Sequence, residues 1–196
     1  MRAHGFTVIE MIITVTIAAV LVALALPNLS EFLKNNARAT NLNTVVAAMN
    51  FARSHAVGRT TNVAVCQSDN QATCTGGGAF GDGFIVFTDA DGAVCDLDGA
   101  DVLLRVFTPR LSDDALIGGL RRNGGFITCV RFRPTGMPDQ GLQLVSNPPF
   151  FAYCDDRGDR SARAIAISAG GGARLSLDAD DSGVHDAPDG TDLVCP

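Results

Sequence analysis

The sequence predicts an α+β fold, a long N-terminal helix packed on an antiparallel β-sheet head. Three features carry this reading: an unbroken apolar run that reaches Leu26, an apolar stripe at spacings of three and four that resumes after Pro27, and, from Thr61 onward, short β-type runs separated by Gly, Asp, Asn and Pro. With 196 residues, 46% hydrophobic and only 18% charged, the chain is long enough for one compact domain beside one stalk.

The first element opens with Gly5-Phe6-Thr7-Val8-Ile9-Glu10-Met11. From Phe6 to Leu26 a helix of about 21 residues, rising about 1.5 Å per residue, spans a hydrocarbon core of roughly 30 Å. Glu10 lies inside this apolar run. An acid at mid-bilayer costs about 2.5–3.5 kcal/mol, and less near an end, so its presence marks a functional site in need of a cation. The next basic residue after Arg2 is Lys34, so the helix itself offers none. Cleavage between Gly5 and Phe6 creates one: a new α-amino group at membrane depth, available to Glu10 of a neighbouring copy. An ordinary secretory signal with a cleavage site at Ala23-Leu24-Ala25, and a plain single-pass anchor, are the competing readings; neither accounts for Glu10.

The short leader with Arg2, the glycine before the cut, Phe6-Thr7-Val8-Ile9-Glu10 and the apolar helix resemble the class III signal of type IV prepilins and type II secretion pseudopilins. The resemblance implies cutting after Gly5 by a prepilin peptidase, N-methylation of Phe6, a need for Glu10 in subunit addition, and a kink or locally melted helix at Pro27. It also implies a type IV pilin-like fold, an inner-membrane location with a periplasmic head, and contacts with other minor and major pilins and the assembly platform.

Beyond Pro27, Leu29, Phe32, Leu33, Leu42, Val45, Val46, Met49 and Ala56 form a one-sided stripe, so the helix is expected to continue to about Val57 with Gly58 as its stop. Proline removes one backbone hydrogen bond and clashes one turn back, which predicts a bend or melted turn near Ala23–Asn28. The expected segments are a leader at 1–5, a membrane or filament-core helix at 6–26, its amphipathic continuation at 27–58 and a β-rich head at 59–196. Strands are expected near Asn62–Cys66, Gly83–Thr88, Val102–Phe107, Phe126–Arg133, Gly141–Val145, Phe150–Cys154, Arg163–Ser168 and Ala173–Leu177. Turn signals such as Asp91-Gly92 and Pro134-Thr135-Gly136 make the sheet antiparallel.

Six cysteines in an exported chain point to disulfides, and the absence of Cys-x-x-Cys weakens a zinc reading. Six allow about 15 connectivities, among which sequence alone does not choose. The favoured set is Cys66–Cys74 closing a polar loop, Cys154–Cys195 tying down the C-terminal tail, and Cys95–Cys129 by elimination.

The head also resembles the GspH/FimT-type minor pseudopilins, which include the FimU-like pilins. The matching stretches are Cys66…Cys74, Phe80…Gly83-Phe84, Ile85-Val86-Phe87-Thr88-Asp89, Phe132-Arg133-Pro134-Thr135-Gly136, Cys154-Asp155 and Ile165-Ala166-Ile167-Ser168. Phe80 and Phe84 stand where that pattern has tryptophans. Some relatives bind DNA through a Gly-Arg-x-Arg turn; here the stretch is Gly171-Gly172-Ala173-Arg174, which keeps only Arg174. With Arg160 and Arg163 nearby, and Arg157, Arg131 and Arg133 further candidates, a phosphate-binding patch is one reading. Solvated or ion-paired arginines among Asp155, Asp156 and Asp159 are the favoured one.

A net charge of −6, becoming −7 once Arg2 leaves with the leader, argues against broad electrostatic capture of nucleic acid. From Asp178 to Asp192 there are aspartates and no Lys or Arg. There Asp178, Asp180, Ser182, Asp186 and Asp189, with Gly183, follow the spacing of an EF-hand-like calcium loop, although the last position carries Asp instead of the usual Glu and no flanking helices are evident. A flexible acidic tail is the alternative. Apart from calcium, no cofactor is expected. His4, His55 and His185 fall outside any catalytic motif, and no nucleophile elbow, phosphate loop or zinc-protease motif is present, so no enzyme is expected. The expected function is a minor pilin that enters or primes a type IV pilus, with a type II secretion pseudopilus tip subunit or a DNA-binding minor pilin as alternatives.

Overall fold

In the computed structural model, residues 6–76, 80–91, 96–109, 116–120, 127, 129–139 and 150–195 are described. The chain forms two compact units that divide between Ala39 and Thr40. One helix, α1 (Val8–Arg59), contributes to both.

The N-terminus of α1 is capped by its own sequence. Thr7 accepts the Glu10 backbone N–H on its Oγ1 at 3.3 Å and the Met11 N–H on its carbonyl, so Thr7 is the N-cap and Glu10 the third helical residue. A carboxylate there also faces the positive end of the helix dipole. The backbone is helical through 25–28. The melted turn expected near Pro27 is therefore absent: loss of one hydrogen bond does not break a helix that continues for many turns on both sides.

The helix also ends differently from expectation. It runs past Gly58 to Arg59, and Thr60 adopts a left-handed φ of 53° while the Thr61 N–H bonds the Ala56 carbonyl at 3.3 Å. This is a Schellman-type stop with a β-branched residue in the position glycine usually occupies.

The second unit contains two four-stranded antiparallel sheets. The strands are β1 (Val63–Gln67), β2 (Phe84–Thr88), β3 (Leu103–Phe107), β4 (Leu116–Leu120), β5 (Cys129–Phe132), β6 (Phe150–Cys154), β7 (Arg163–Ile167) and β8 (Ala173–Leu175). One sheet has the order β3-β2-β1-β5 and the other β4-β6-β7-β8. Seven of these correspond to expected strands, β6 without change and the others with ends shifted by a few residues. The eighth, β4, was not expected: Leu-Ile-Gly-Gly-Leu carries two residues of low strand propensity, and only pairing with β6 makes it a strand. The strand expected at Gly141–Val145 lies outside the described residues.

Strand alternation sorts the side chains into three apolar clusters. The central one joins Leu42, Val45, Ala48, Met49, Ala52 and Ala56 of α1 to Val63, Val65, Phe84, Val86 and Phe132 of the first sheet and Phe151, Tyr153, Ile165 and Ile167 of the second. Its helical spacing confirms the stripe from Leu42 onward and adds Ala48 and Ala52. Leu29, Phe32 and Leu33, also assigned to that stripe, are instead exposed, because they belong to the other unit. On the outer face of the first sheet, Ala64, Cys66, Ile85 and Phe87 are covered by Cys74 and Leu97. On the outer face of the second, Phe150, Ala152, Cys154 and Ala164 are covered by Val184, Ala187, Leu193 and Cys195. The acidic C-terminal stretch is thus an ordered cover.

Candidate functional site

The sequence nominated two kinds of site, an assembly helix and polar clusters on the head. In the first unit, the large apolar side chains from Phe6 to Leu24 are exposed and the most apolar window is wholly unburied. A stripe of this length, bare in water, requires lipid or other helices as its surroundings. Glu10 lies about one turn from the helix start, and Phe6 precedes the helix. Gly5 lies outside the described residues, as does the Pro27 side chain.

On the head, Cys66–Cys74 and Cys154–Cys195 are both disulfides. Cys129 is also disulfide-bonded, while its expected partner Cys95 lies outside the described residues. The polar loop closed by the first bridge is organised by Asn70, whose Oδ1 accepts the Ala72 and Thr73 N–H groups at 2.9 Å and the Ser68 hydroxyl at 3.1 Å. Phe80 and Phe84 are fully buried; Phe80 meets Phe151 edge-on at 4.9 Å and Phe84 stacks on Phe107 at 5.3 Å. Phenylalanine therefore keeps an aromatic anchor at both positions.

The arginines divide according to their partners. Arg131 donates to the buried Asp89 at 2.9 Å and also pairs with Asp139, which Arg133 contacts as well. Burial pushes the Asp139 carboxyl up, but hydrogen bonds from Arg131 and Arg133 outweigh it and hold the group below the ordinary carboxylate range. Arg157 grips Asp155 in the turn after β6. These are ion-paired arginines, although for Arg131 and Arg133 the partners are Asp89 and Asp139 and not the aspartates the sequence suggested.

Strand register separates two of the three arginines named for DNA. Register places Arg174 opposite Ala166 on the outer face of the second sheet, whereas Arg163 shares the side of Ile165 and Ile167 and donates to the Arg160 and Ala162 carbonyls. Arg160 sits in a 3₁₀ turn, Asp159–Ser161.

The acidic stretch is arranged by turns. Asp178 accepts the Ser182 N–H on one oxygen and the Gly183 N–H on the other, at 3.1 and 2.9 Å. Asp180 accepts the Ser182 N–H at 3.0 Å, a bond that heads the causes lowering its pKa. Asp189 caps its own turn through Thr191. Asp186 and Asp192 face each other across an antiparallel bridge. The fold therefore brings Asp180 and Asp186 together with Asp192, while Asp178 and Asp189 bond local N–H or hydroxyl groups. Loop spacing alone missed Asp192, because a cross-strand pair is invisible to it.

Residues 41–171 match the family described as type II transport protein GspH, and residues 1–26 match the prokaryotic N-terminal methylation motif. The chain belongs to the GspH family. Its members are pilin-type structural subunits, not enzymes. Among solved structures, the type IV minor pilin FimU of Pseudomonas aeruginosa aligns with this GspH-family chain at a TM-score of 0.52 and 16% identity, covering 74% of this chain and 90% of that one. A second crystal form of FimU aligns at 0.47 and 17% identity, covering 72% and 90%. No curated protein matches the sequence. The similarity to FimU extends to the fold: a long N-terminal helix on antiparallel sheets. The family implies contacts with other pilins in a filament, and the apolar helix implies membrane anchoring before assembly.

Proposed function

We propose that this chain is a minor pilin that enters or primes a type IV pilus, after prepilin peptidase cuts between Gly5 and Phe6 and Phe6 is N-methylated. The supporting observation is the exposed apolar helix from Phe6 to Leu24 with a carboxylate about one turn from its start, within a methylation motif. In this reading Glu10 pairs with the Phe6 amine of a neighbouring subunit. The charge it brings into the apolar layer is neutralised only in correct register, so docking is selective. Before assembly the helix is held in the inner membrane with the head in the periplasm; afterwards it joins the filament core beside other minor and major pilins. Pro27 serves this transfer as a helix position with one fewer backbone bond.

The family description favours a second reading, a tip subunit of the type II secretion pseudopilus. An in-frame deletion, scored for surface pili and secreted exoenzymes in one strain and complemented with wild type or Glu10→Ala, separates the two. Lost pili with normal secretion supports the pilus; lost secretion with normal pili moves the protein to the pseudopilus. In either machine Glu10→Ala should leave the protein in the membrane fraction and absent from sheared filaments. A DNA-binding role would require retention of DNA that is lost on Arg174→Ala.

A further inference from the structure

We propose that Asp180, Asp186 and Asp192 form a calcium site that ties together the turns of the C-terminal cover. One carboxylate oxygen from each lies within 4.8 Å of the other two. Calcium bonds oxygen at about 2.3–2.6 Å, so ligands on opposite sides of one ion are about 4.6–5.2 Å apart, and three oxygens in this envelope can share a single ion.

The second observation is at Asp186. Its residue is 8% exposed; Oδ2 accepts the Ala179 N–H at 2.8 Å, while Oδ1 is buried and has no hydrogen-bond partner. A buried carboxylate oxygen without a donor is costly, and a cation supplies what is missing. The stretch from Asp178 to Asp192 itself contains no lysine or arginine.

The ligand chemistry selects the ion. Three carboxylates with no imidazole or thiolate favour a hard cation over zinc. Asp180 and Asp192 are exposed, which leaves room for water to complete a coordination shell, and Ser182 orients Asp192 through a 2.9 Å hydrogen bond. Magnesium, with bonds of about 2.0–2.1 Å and a strict octahedron, fits a turn-and-bridge site less readily.

The assignment differs from the calcium-loop spacing in leaving out Asp178, Ser182 and Asp189 and adding Asp192, and the exchange of Asp189 for Asp192 can be tested. The experiment is calorimetric titration of the full-length, metal-stripped chain in detergent micelles with calcium chloride, repeated with Asp192→Asn and Asp189→Asn. Saturable binding by wild type with Kd of about 10⁻⁴–10⁻³ M is expected, as for extracellular modules. Asp192→Asn should weaken it at least about tenfold, and Asp189→Asn less than about twofold. Thermal melts with and without calcium provide the fold check, since calcium should raise the midpoint of wild type and Asp189→Asn but not of Asp192→Asn. No saturable binding by wild type, equal losses in the two variants, or magnesium binding as tightly as calcium would overturn the proposal.

Discussion

Arg53 of α1 donates from Nε to the carbonyl oxygen of Gly136 at 3.0 Å. That bond joins the helix to the turn after β5, and the turn between β7 and β8 closes on the same place. A Cβ built on Gly171 would lie 2.2 Å from the Gly136 oxygen and 3.1 Å from Arg53 Nε. One arginine thus gathers the helix and a turn from each sheet.

Gly171→Ala should therefore be among the most damaging single-methyl changes in the head. Gly171 has a φ of 79° and the added carbon would collide with backbone, so a loss of about 2–4 kcal/mol is expected. Gly170→Ala, with open space around its Cβ, is the matched control. Denaturant midpoints followed by circular dichroism compare the two.

Thr60→Gly should act in the opposite direction. A β-branched residue at φ 53° carries a strain that glycine relieves, offset in part by glycine's freedom in the unfolded chain. The net expectation is a gain of about 0.5–1 kcal/mol, read as a raised unfolding midpoint. A lowered midpoint would show that the Thr60 side chain contributes more than its backbone strain costs.

Acid stability depends on Asp155. Burial pushes its carboxyl up, but the Arg157 side chain, the Ser161 hydroxyl and the Arg157 N–H outweigh that and bring it from 3.8 down to about 2. Because the folded value lies below the unfolded one, the stabilisation is present above about pH 4 and is lost as pH falls towards 2. The linked energy is about 2 kcal/mol at most. Asp155→Asn should lower stability at pH 7 and flatten the dependence between pH 4 and 2, measured by urea unfolding across that range.

The two described disulfides should differ in worth. Cys154–Cys195 spans 41 residues and Cys66–Cys74 spans 8. Chain-entropy arithmetic gives about 4 kcal/mol for the first and about 2.5 kcal/mol for the second. Paired Cys→Ala variants, compared by thermal unfolding, should preserve that order.

Much of this was legible in the residues. The apolar stripe from Leu42 and most of the strands follow from local periodicity, which a sequence displays directly, and the two described disulfides are favoured pairs that the sequence alone did not determine. What escaped were features made by partners distant in sequence. β4 becomes a strand only beside β6, Arg131 finds Asp89 across 42 positions, and Asp192 joins Asp180 and Asp186 through a cross-strand bridge. At Pro27 and Gly58 residue type pointed to a break, but helix cooperativity carried the chain through the first and past the second to Thr60.

The outer covers of the two sheets come from different distances along the chain. The Cys66–Cys74 cover is local in sequence and can close soon after the chain emerges. The apolar face formed by Phe150, Ala152 and Ala164 must wait for Leu193 and Cys195. A subunit interrupted before those residues would carry a finished first sheet and an unsealed second one, a sticky and protease-sensitive form. The second sheet is thus sealed by residues that lie well beyond its own strands in the chain.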